Sequence, residues 1–275
     1  MMSMKFPIYL NNKRRKCRVG PPLAKESMKE LLPKVKVTRR ICLGIANAFG
    51  DFIVIASPFN LRFKLLMKQL FEPEVGQLDW DKQVHGGAVE AWLHLIAEAV
   101  ESESLIFPRS TRPEKAIGPP TLVGFGDGAF PAFGASEYVR WETECQHSDL
   151  KECSGDFEAN LLCAKSKVTP LSGFSIPRSV LSGTVLMTRL LKSCVKALQC
   201  DESMKPRSIT PLVDSKCTIS VLEKSVGALK PFFHNRVSET LDNIADLKKV
   251  CDVEDLHYVG SKDNPADLAT QGVSS

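Results

Sequence analysis

The chain has no apolar run long enough to cross a membrane as a helix. The nearest stretch, Ile41 to Phe59, is broken by Asn47, Asp51 and Pro58. It has no C-x2-C pair, and its 9 cysteines are scattered and odd in number, so neither a disulfide framework nor a zinc ribbon is expected. Cys145, His147 and Cys153 are ligands of the right kind for zinc, yet no fourth stands at the usual spacing. The opening, MMSMKFPIYLNNKRRK, lacks the uninterrupted apolar centre of a secretion signal. Unpaired thiols without such a signal imply a reducing, intracellular compartment, cytoplasmic or nuclear. No strong excess of either charge is present: 36 Lys+Arg against 32 Asp+Glu leaves a formal +4. That balance permits a polyanionic partner without requiring one.

What is present begins with TLVGFGDGAFPAFGASEYVRWE, Thr121 to Glu142. An apolar run, Leu122, Val123 and Phe125, leads into Asp127, then a Gly/Pro turn, then a second run from Phe133 to Trp141. The pattern predicts a β-hairpin with an acid at the end of its first strand. Asp is also a common turn former at strand ends, so Asp127 alone decides nothing.

Before the hairpin, residues 1–105 read as a mainly helical region. A short strand-like piece (Phe6, Ile8, Leu10) precedes the basic run Lys13 to Lys16, expected as a solvated loop, with phosphate contact or a nuclear signal as the alternatives. Ser57 and Pro58 mark a helix start as cap and first-turn residue, and Leu61, Leu65, Leu66 and Leu70 then recur at helical spacing. Trp92, Leu95, Ile96 and Ala99 form one face of a further helix. Residues 106–120, rich in proline, read as a linker to a second domain over 121–275.

After the hairpin, residues 157–168 predict a third strand. Ser175 to Cys200 carries an apolar stripe (Leu181, Val185, Leu186, Leu190, Cys194, Val195, Leu198) behind Pro177, which predicts a long helix. A strand ending at Asp214, a short helix, a helix over 231–249, a strand over 256–259 and a last helix behind Asn264-Pro265 follow. The order β β β α β α α β α is that of a ribonuclease H-like fold, a five-stranded mixed sheet flanked by helices.

That topology gives three acids a common edge. Asp127 and Asp214 would lie side by side if their strands are neighbours, and Asp267 would approach from the last helix. Carboxylates so gathered suit hard divalent cations, Mg²⁺ or Mn²⁺, in two-metal hydrolysis. Each acid also has a plain structural reading, Asp214 as a helix cap and Asp267 as part of a capping turn.

Several stretches together resemble the region after the polymerase palm in polyproteins of BEL/Pao-type LTR retrotransposons. They are TRRICLGIANAFGDFIVIASPFNLRFKLLMKQLF, LDWD, LVGFGDGAFPAFGA, LLCAKSKVTPLSGFSIPRS, LVDSKCTISVLE, LKPFFHNRVSE and GSKDNPADLATQG. The resemblance spans Phe6 to Gly272. It implies a thumb/connection region, a ribonuclease H-like domain that cleaves the RNA strand of RNA·DNA hybrids, and upstream reverse transcriptase domains as partners. Such regions are sometimes described as a Pao retrotransposon peptidase, but the chain has no Asp-Thr-Gly or Asp-Ser-Gly loop, and the polymerase's paired-Asp signature is absent as well.

The resemblance assigns Asp127, Asp214 and Asp267 to the first, third and fourth metal carboxylates. The second is expected as Glu in a motif like IPRSELSG. Here Ile176 to Gly183 reads IPRSVLSG, so Val180 stands in the place of that Glu. Glu142, Glu202 and Glu223 are the acids to weigh as substitutes, although none has the right helix position. The resemblance therefore implies an ancestral hybrid-cleaving nuclease that is inactive or impaired. The alternative is a non-catalytic nucleic-acid-binding or structural remnant. An integrase-like transferase shares the fold class, but the acid after Asn264-Pro265-Ala266 favours ribonuclease H.

Overall fold

A computed structural model describes residues 10–11, 16–18, 37–48, 56–72, 79–85, 87–101, 106–108, 110–144, 156–223 and 229–272. Phe6, Ile8, the basic residues Lys13 to Arg15, and the trio Cys145, His147 and Cys153 lie outside the described residues. The chain divides into two units: residues 1–109 with 170–172 and 272–275, and residues 110–169 with 173–271. Among the described residues no helix is long and apolar enough to cross a membrane.

In the first unit, strands β1 (Leu10–Asn11), β2 (Lys16–Arg18) and β3 (Ile106–Pro108) form a small antiparallel sheet. The helices are α1 (Arg39–Ala48), α2 (Ser57–Gln69) and α3 (Gly87–Glu101). Ala56 takes the N-cap place expected of Ser57, and Pro58 falls in the first turn as expected. Trp92, Leu95, Ile96 and Ala99 of α3 are all buried, packing with Phe59 and Phe63 of α2. The Phe63 ring centroid lies 5.7 Å from those of both Phe59 and Trp92. The three-stranded sheet is an addition to the helical region that the sequence predicted.

The second unit is ribonuclease H-like. Its strands are β4 (Ala116–Gly128), β5 (Ala132–Thr143), β6 (Asp156–Val168), β7 (Ser208–Val213), β8 (Asp252–Val253) and β9 (His257–Tyr258). Its helices are α4 (Ile176–Leu198), α5 (Lys216–Glu223), α6 (Pro231–Lys248) and α7 (Leu268–Gln271). The sheet order is β6-β5-β4-β7-β8, with β9 also on β7. β4, β5 and β6 are antiparallel, whereas β7 joins β4 in parallel. β8 and β9 both pair with β7 in parallel, at Ser208–Ile209 and at Leu212–Val213. They occupy one position in the sheet, so the sixth strand is the expected fifth strand broken in two. β4 begins at Ala116, earlier than the predicted Thr121, with a register shift between Ile117 and Thr121 at the prolines.

Helix α4 packs on one face of this sheet. Leu186, Leu191, Cys194 and Val195 are buried against Leu122, Val139, Trp141 and Ile209, and Leu181 and Val185 of the same stripe are buried as well. Two buried polar side chains join α4 to α6: Asn243 Nδ2 donates to Thr188 Oγ1 at 3.1 Å, and Thr188 Oγ1 donates to the Val185 carbonyl at 3.0 Å. Neither polar group is therefore left stranded in an apolar seam.

Candidate active site

The parallel pairing of β4 with β7 ends at Gly126↔Val213, so Asp127 and Asp214 follow the last paired residues of adjacent strands. Asp127 is opposite Gly134 in the antiparallel register. A Cβ on Gly134 would lie 2.7 Å from the Ala269 Cβ, so α7 rests on the face toward which Asp127 points. On that face Thr270 Oγ1 donates to Asp127 Oδ2 at 2.5 Å, and both residues are buried.

Burial pushes the Asp127 carboxyl above its ordinary range, and the negative charges of Asp214 and Asp267 push the same way. The hydrogen bonds from Thr270 and from the Gly128 amide oppose that shift. Asp127 is thus close enough to feel the charge of both other acids named from the sequence.

Asp214 and Asp267 have their own neutral partners. Ser261 Oγ donates to Asp214 Oδ2 at 3.0 Å, and Gln271 Nε2 donates to Asp267 Oδ1 at 2.6 Å. The cap of α5 is Ser215, whose Oγ accepts from the Thr218 amide at 3.2 Å, so Asp214 is free of that duty. Likewise Asn264 Oδ1 accepts from the Ala266 amide at 3.1 Å and caps the 3₁₀ turn Pro265–Asp267. The helix-cap reading of Asp214 therefore passes to Ser215, whereas Asp267 does belong to the turn that Asn264 caps, its amide donating to the Asn264 carbonyl at 3.1 Å.

On the other face the first turn of α4 meets β4 at backbone contact. A Cβ on Gly128 would lie 2.2 Å from the Ser179 carbonyl carbon and the Val180 nitrogen. Ser179 Oγ donates to the Ala129 carbonyl at 2.6 Å, fastening this turn to the β4–β5 connection. Val180, half-buried, therefore stands beside the residue that follows Asp127.

None of the three substitute acids is near. Glu142 is paired with Ile117 in register and bonded to Arg207, at the opposite end of β4 from Asp127. Glu202 lies beyond the C-terminal end of α4 beside Lys205, and Glu223 ends α5.

Oxygen ligands in this setting fit a hard divalent cation in kind. As arranged, however, no three His, Cys, Asp or Glu side chains among the described residues gather closely enough to hold one.

Three residues shape the site through contacts that the sequence did not show: Thr270 on Asp127, Ser179 on the turn, and Asn264, expected only at the start of the last helix, whose Nδ2 also donates to the Gly126 carbonyl at 3.3 Å. A fourth, Glu137, is wholly buried in β5, and among the described residues neither of its carboxyl oxygens has a hydrogen-bond partner. The alternation Ala135, Glu137, Val139, Trp141 was the signal for its burial.

The model of a family described as the Pao retrotransposon-like RNaseH-like domain matches residues 38–215. The chain belongs to that family. The match takes in Asp127, Val180 and Asp214 and stops before Asp267. Among solved structures, the chain is similar to RNase H1 from the halophilic archaeon Halobacterium salinarum NRC-1, at 10% identity and a TM-score of 0.33, over 56% of this chain and 95% of that one. It is similar to the foamy viral protease-reverse transcriptase dRH, solved with double-stranded DNA, at 13% identity and a TM-score of 0.44. That likeness covers 87% of this chain and 35% of the viral one. LC11-RNase H1, solved with an RNA/DNA hybrid, is similar at 12% identity and a TM-score of 0.31, over 54% of this chain and 93% of that one. No curated protein matches.

Proposed function

We propose that this chain is a retrotransposon-derived ribonuclease H-like module that binds RNA·DNA hybrids and whose hybrid-cleaving chemistry is disabled at one residue. Val180 carries the reading. It is the fifth residue of α4, beside the Asp127–Gly128 strand end, where the family resemblance places a carboxylate. A pair of Mg²⁺ or Mn²⁺ ions would supply an activated water and stabilise the leaving oxygen. Asp127, Asp214 and Asp267 would have to draw together from the arrangement above to hold them, and valine offers no oxygen for the remaining place. Losing one charged group from such a site removes orders of magnitude in rate.

The remaining residues keep the site's frame. Thr270, Ser261 and Gln271 each occupy one carboxylate oxygen, and Ser179 anchors the helix turn. Upstream reverse transcriptase domains would deliver the hybrid in a longer polyprotein. Cys42, Cys163, Cys194, Cys200, Cys217 and Cys251 are free thiols, which suits an intracellular chain, cytoplasmic or nuclear.

The test is to incubate the chain with an end-labelled RNA·DNA hybrid in Mg²⁺ and separately in Mn²⁺, reading binding by gel shift and cleavage on a denaturing gel. Binding without divalent-dependent cleavage is expected. Failure to bind any hybrid would leave only a structural remnant of the polyprotein.

A further inference from the structure

The seam between α4 and α6 changes character along its length. Toward its C-terminal end the basic side chains are neutralised: Arg189 pairs with Glu239, and Lys192 with Asp246 at 2.8 Å. At its N-terminal end Arg178 and Arg236 both lie over the ring of Phe232, at 5.1 and 5.2 Å from its centroid. Among the described residues neither of these two arginines pairs with a carboxylate, and neither helix carries an acid in its first turn. Helix N-termini favour anions and disfavour guanidinium groups, so Arg178, the third residue of α4, is at odds with its own helix, while Arg236 stands one turn further into α6. An external anion would remove the conflict.

Phe232 belongs to a chain of rings that leads back to the acids. It meets Phe233 at 5.6 Å and Phe174 at 5.8 Å, and Phe174 stacks on Phe133 at 6.3 Å. Phe133 is the β5 partner of Gly128, the residue after Asp127. Around this chain Phe130 and Ile176 are each 63% exposed, and Lys230 at the start of α6 is exposed. Rings hold the two guanidinium groups in place, as cation–π contacts do, while Arg178 Nη1 also donates to the Gly173 carbonyl at 2.5 Å.

We infer that Arg178 and Arg236, mounted on Phe232, form a docking platform for the phosphate backbone of a nucleic-acid strand passing the Asp127 edge. The inference rests on the hybrid-binding reading above and assigns that binding to these residues. Guanidinium groups bind phosphate oxygens in a fork and carry no base specificity. Exposed apolar and aromatic surface beside them suits contact with sugars and base edges of the same strand.

The experiment is fluorescence anisotropy of a labelled RNA·DNA hybrid across a salt series. It compares the wild-type chain with Arg178→Gln/Arg236→Gln and with Arg189→Gln/Lys192→Gln, which removes the same charge from the neutralised part of the seam. The platform predicts roughly tenfold or greater loss of affinity for the first variant, with the slope of log affinity against log salt reduced by about two. The second variant keeps the wild-type slope. A wild-type measurement runs beside it and needs no variant to fold: the hybrid should protect Arg178 and Arg236, but not the half-exposed Arg189, from phenylglyoxal. If the wild-type chain binds hybrid while Arg178→Gln/Arg236→Gln keeps its affinity and slope, or while both arginines stay reactive, the platform is wrong and the hybrid-binding reading stands. If the wild-type chain binds no hybrid, both are overturned.

Discussion

Gly183 of α4 lies against the backbone of Asp127 so closely that a Cβ on it would sit 2.1 Å from the Asp127 carbonyl oxygen. Gly126 and Gly128 on β4 face the same helix, the first near the Gly183 carbonyl and the second near Ser179. The helix therefore rests on the acid-bearing strand with no side chain between them. Only glycine at these places allows α4 and the end of β4 to share one edge.

Gly183→Ala is expected to destabilise the second unit, although alanine is better by about 1 kcal/mol within a helix. The obstacle is backbone rather than a flexible side chain, so relaxation would shift α4 off the strand. Overpacking of this kind costs roughly 1–3 kcal/mol or more and outweighs the propensity gain. Thermal unfolding reads the sign directly: a raised midpoint would show that helix and strand are not in backbone contact.

Asn264→Ala removes two bonds at once, the cap on Ala266 and the buried donation to the Gly126 carbonyl. A cap alone is worth about 1 kcal/mol, and leaving a buried carbonyl unmet adds roughly 1–3 kcal/mol. Asn264→Asp should recover the first contribution and not the second. Urea denaturation of the three proteins is expected to order them wild type, Asp variant, Ala variant. Equal midpoints for the two variants would mean that the Gly126 bond contributes nothing.

Glu137 gives stability a pH dependence. Its burial holds the carboxyl well above the ordinary range, and the nearby Cys163 adds to the shift. Below the ordinary carboxylate range both folded and unfolded states keep the proton, and the residue carries no charge penalty. As pH rises through that range the unfolded chain ionises first, so stability falls until the folded carboxyl itself loses its proton. Glu137→Leu should therefore raise the melting midpoint at neutral pH, by about 1–3 kcal/mol in stability or more, and flatten the decline between acid and neutral pH. An unchanged pH profile would place the origin of the decline elsewhere.

Much of the fold was legible because its elements carry strong local patterns. The stripe along α4, Pro177 at its start and the alternation through Phe133 to Trp141 each specify one kind of structure. Order alone left open whether the strands of Asp127 and Asp214 are neighbours, and the parallel register shows that they are. What was not legible arises from contacts distant in sequence. Thr270 and Asp127 are separated by 143 positions, and Asn264 and Gly126 by 138. Nothing local at Thr270 or Asn264 points to those partners. Of the small sheet in the first unit only β1 was hinted at, by the strand-like piece ending at Leu10, since β1, β2 and β3 are only two or three residues long and show no usable period. Glu137 was open to reading in principle, but a charged residue in an apolar alternation is normally assigned to a surface.

The central claim, that one missing carboxylate separates this chain from a working nuclease, is tested most directly by Val180→Glu. The substituted chain should cut an end-labelled RNA·DNA hybrid in a Mg²⁺- or Mn²⁺-dependent manner, while the wild-type chain under the same conditions does not. Adding Asp127→Asn to Val180→Glu should abolish that cleavage. Wild-type cleavage at a rate that Val180→Glu does not exceed, and that Asp127→Asn removes, would contradict the claim.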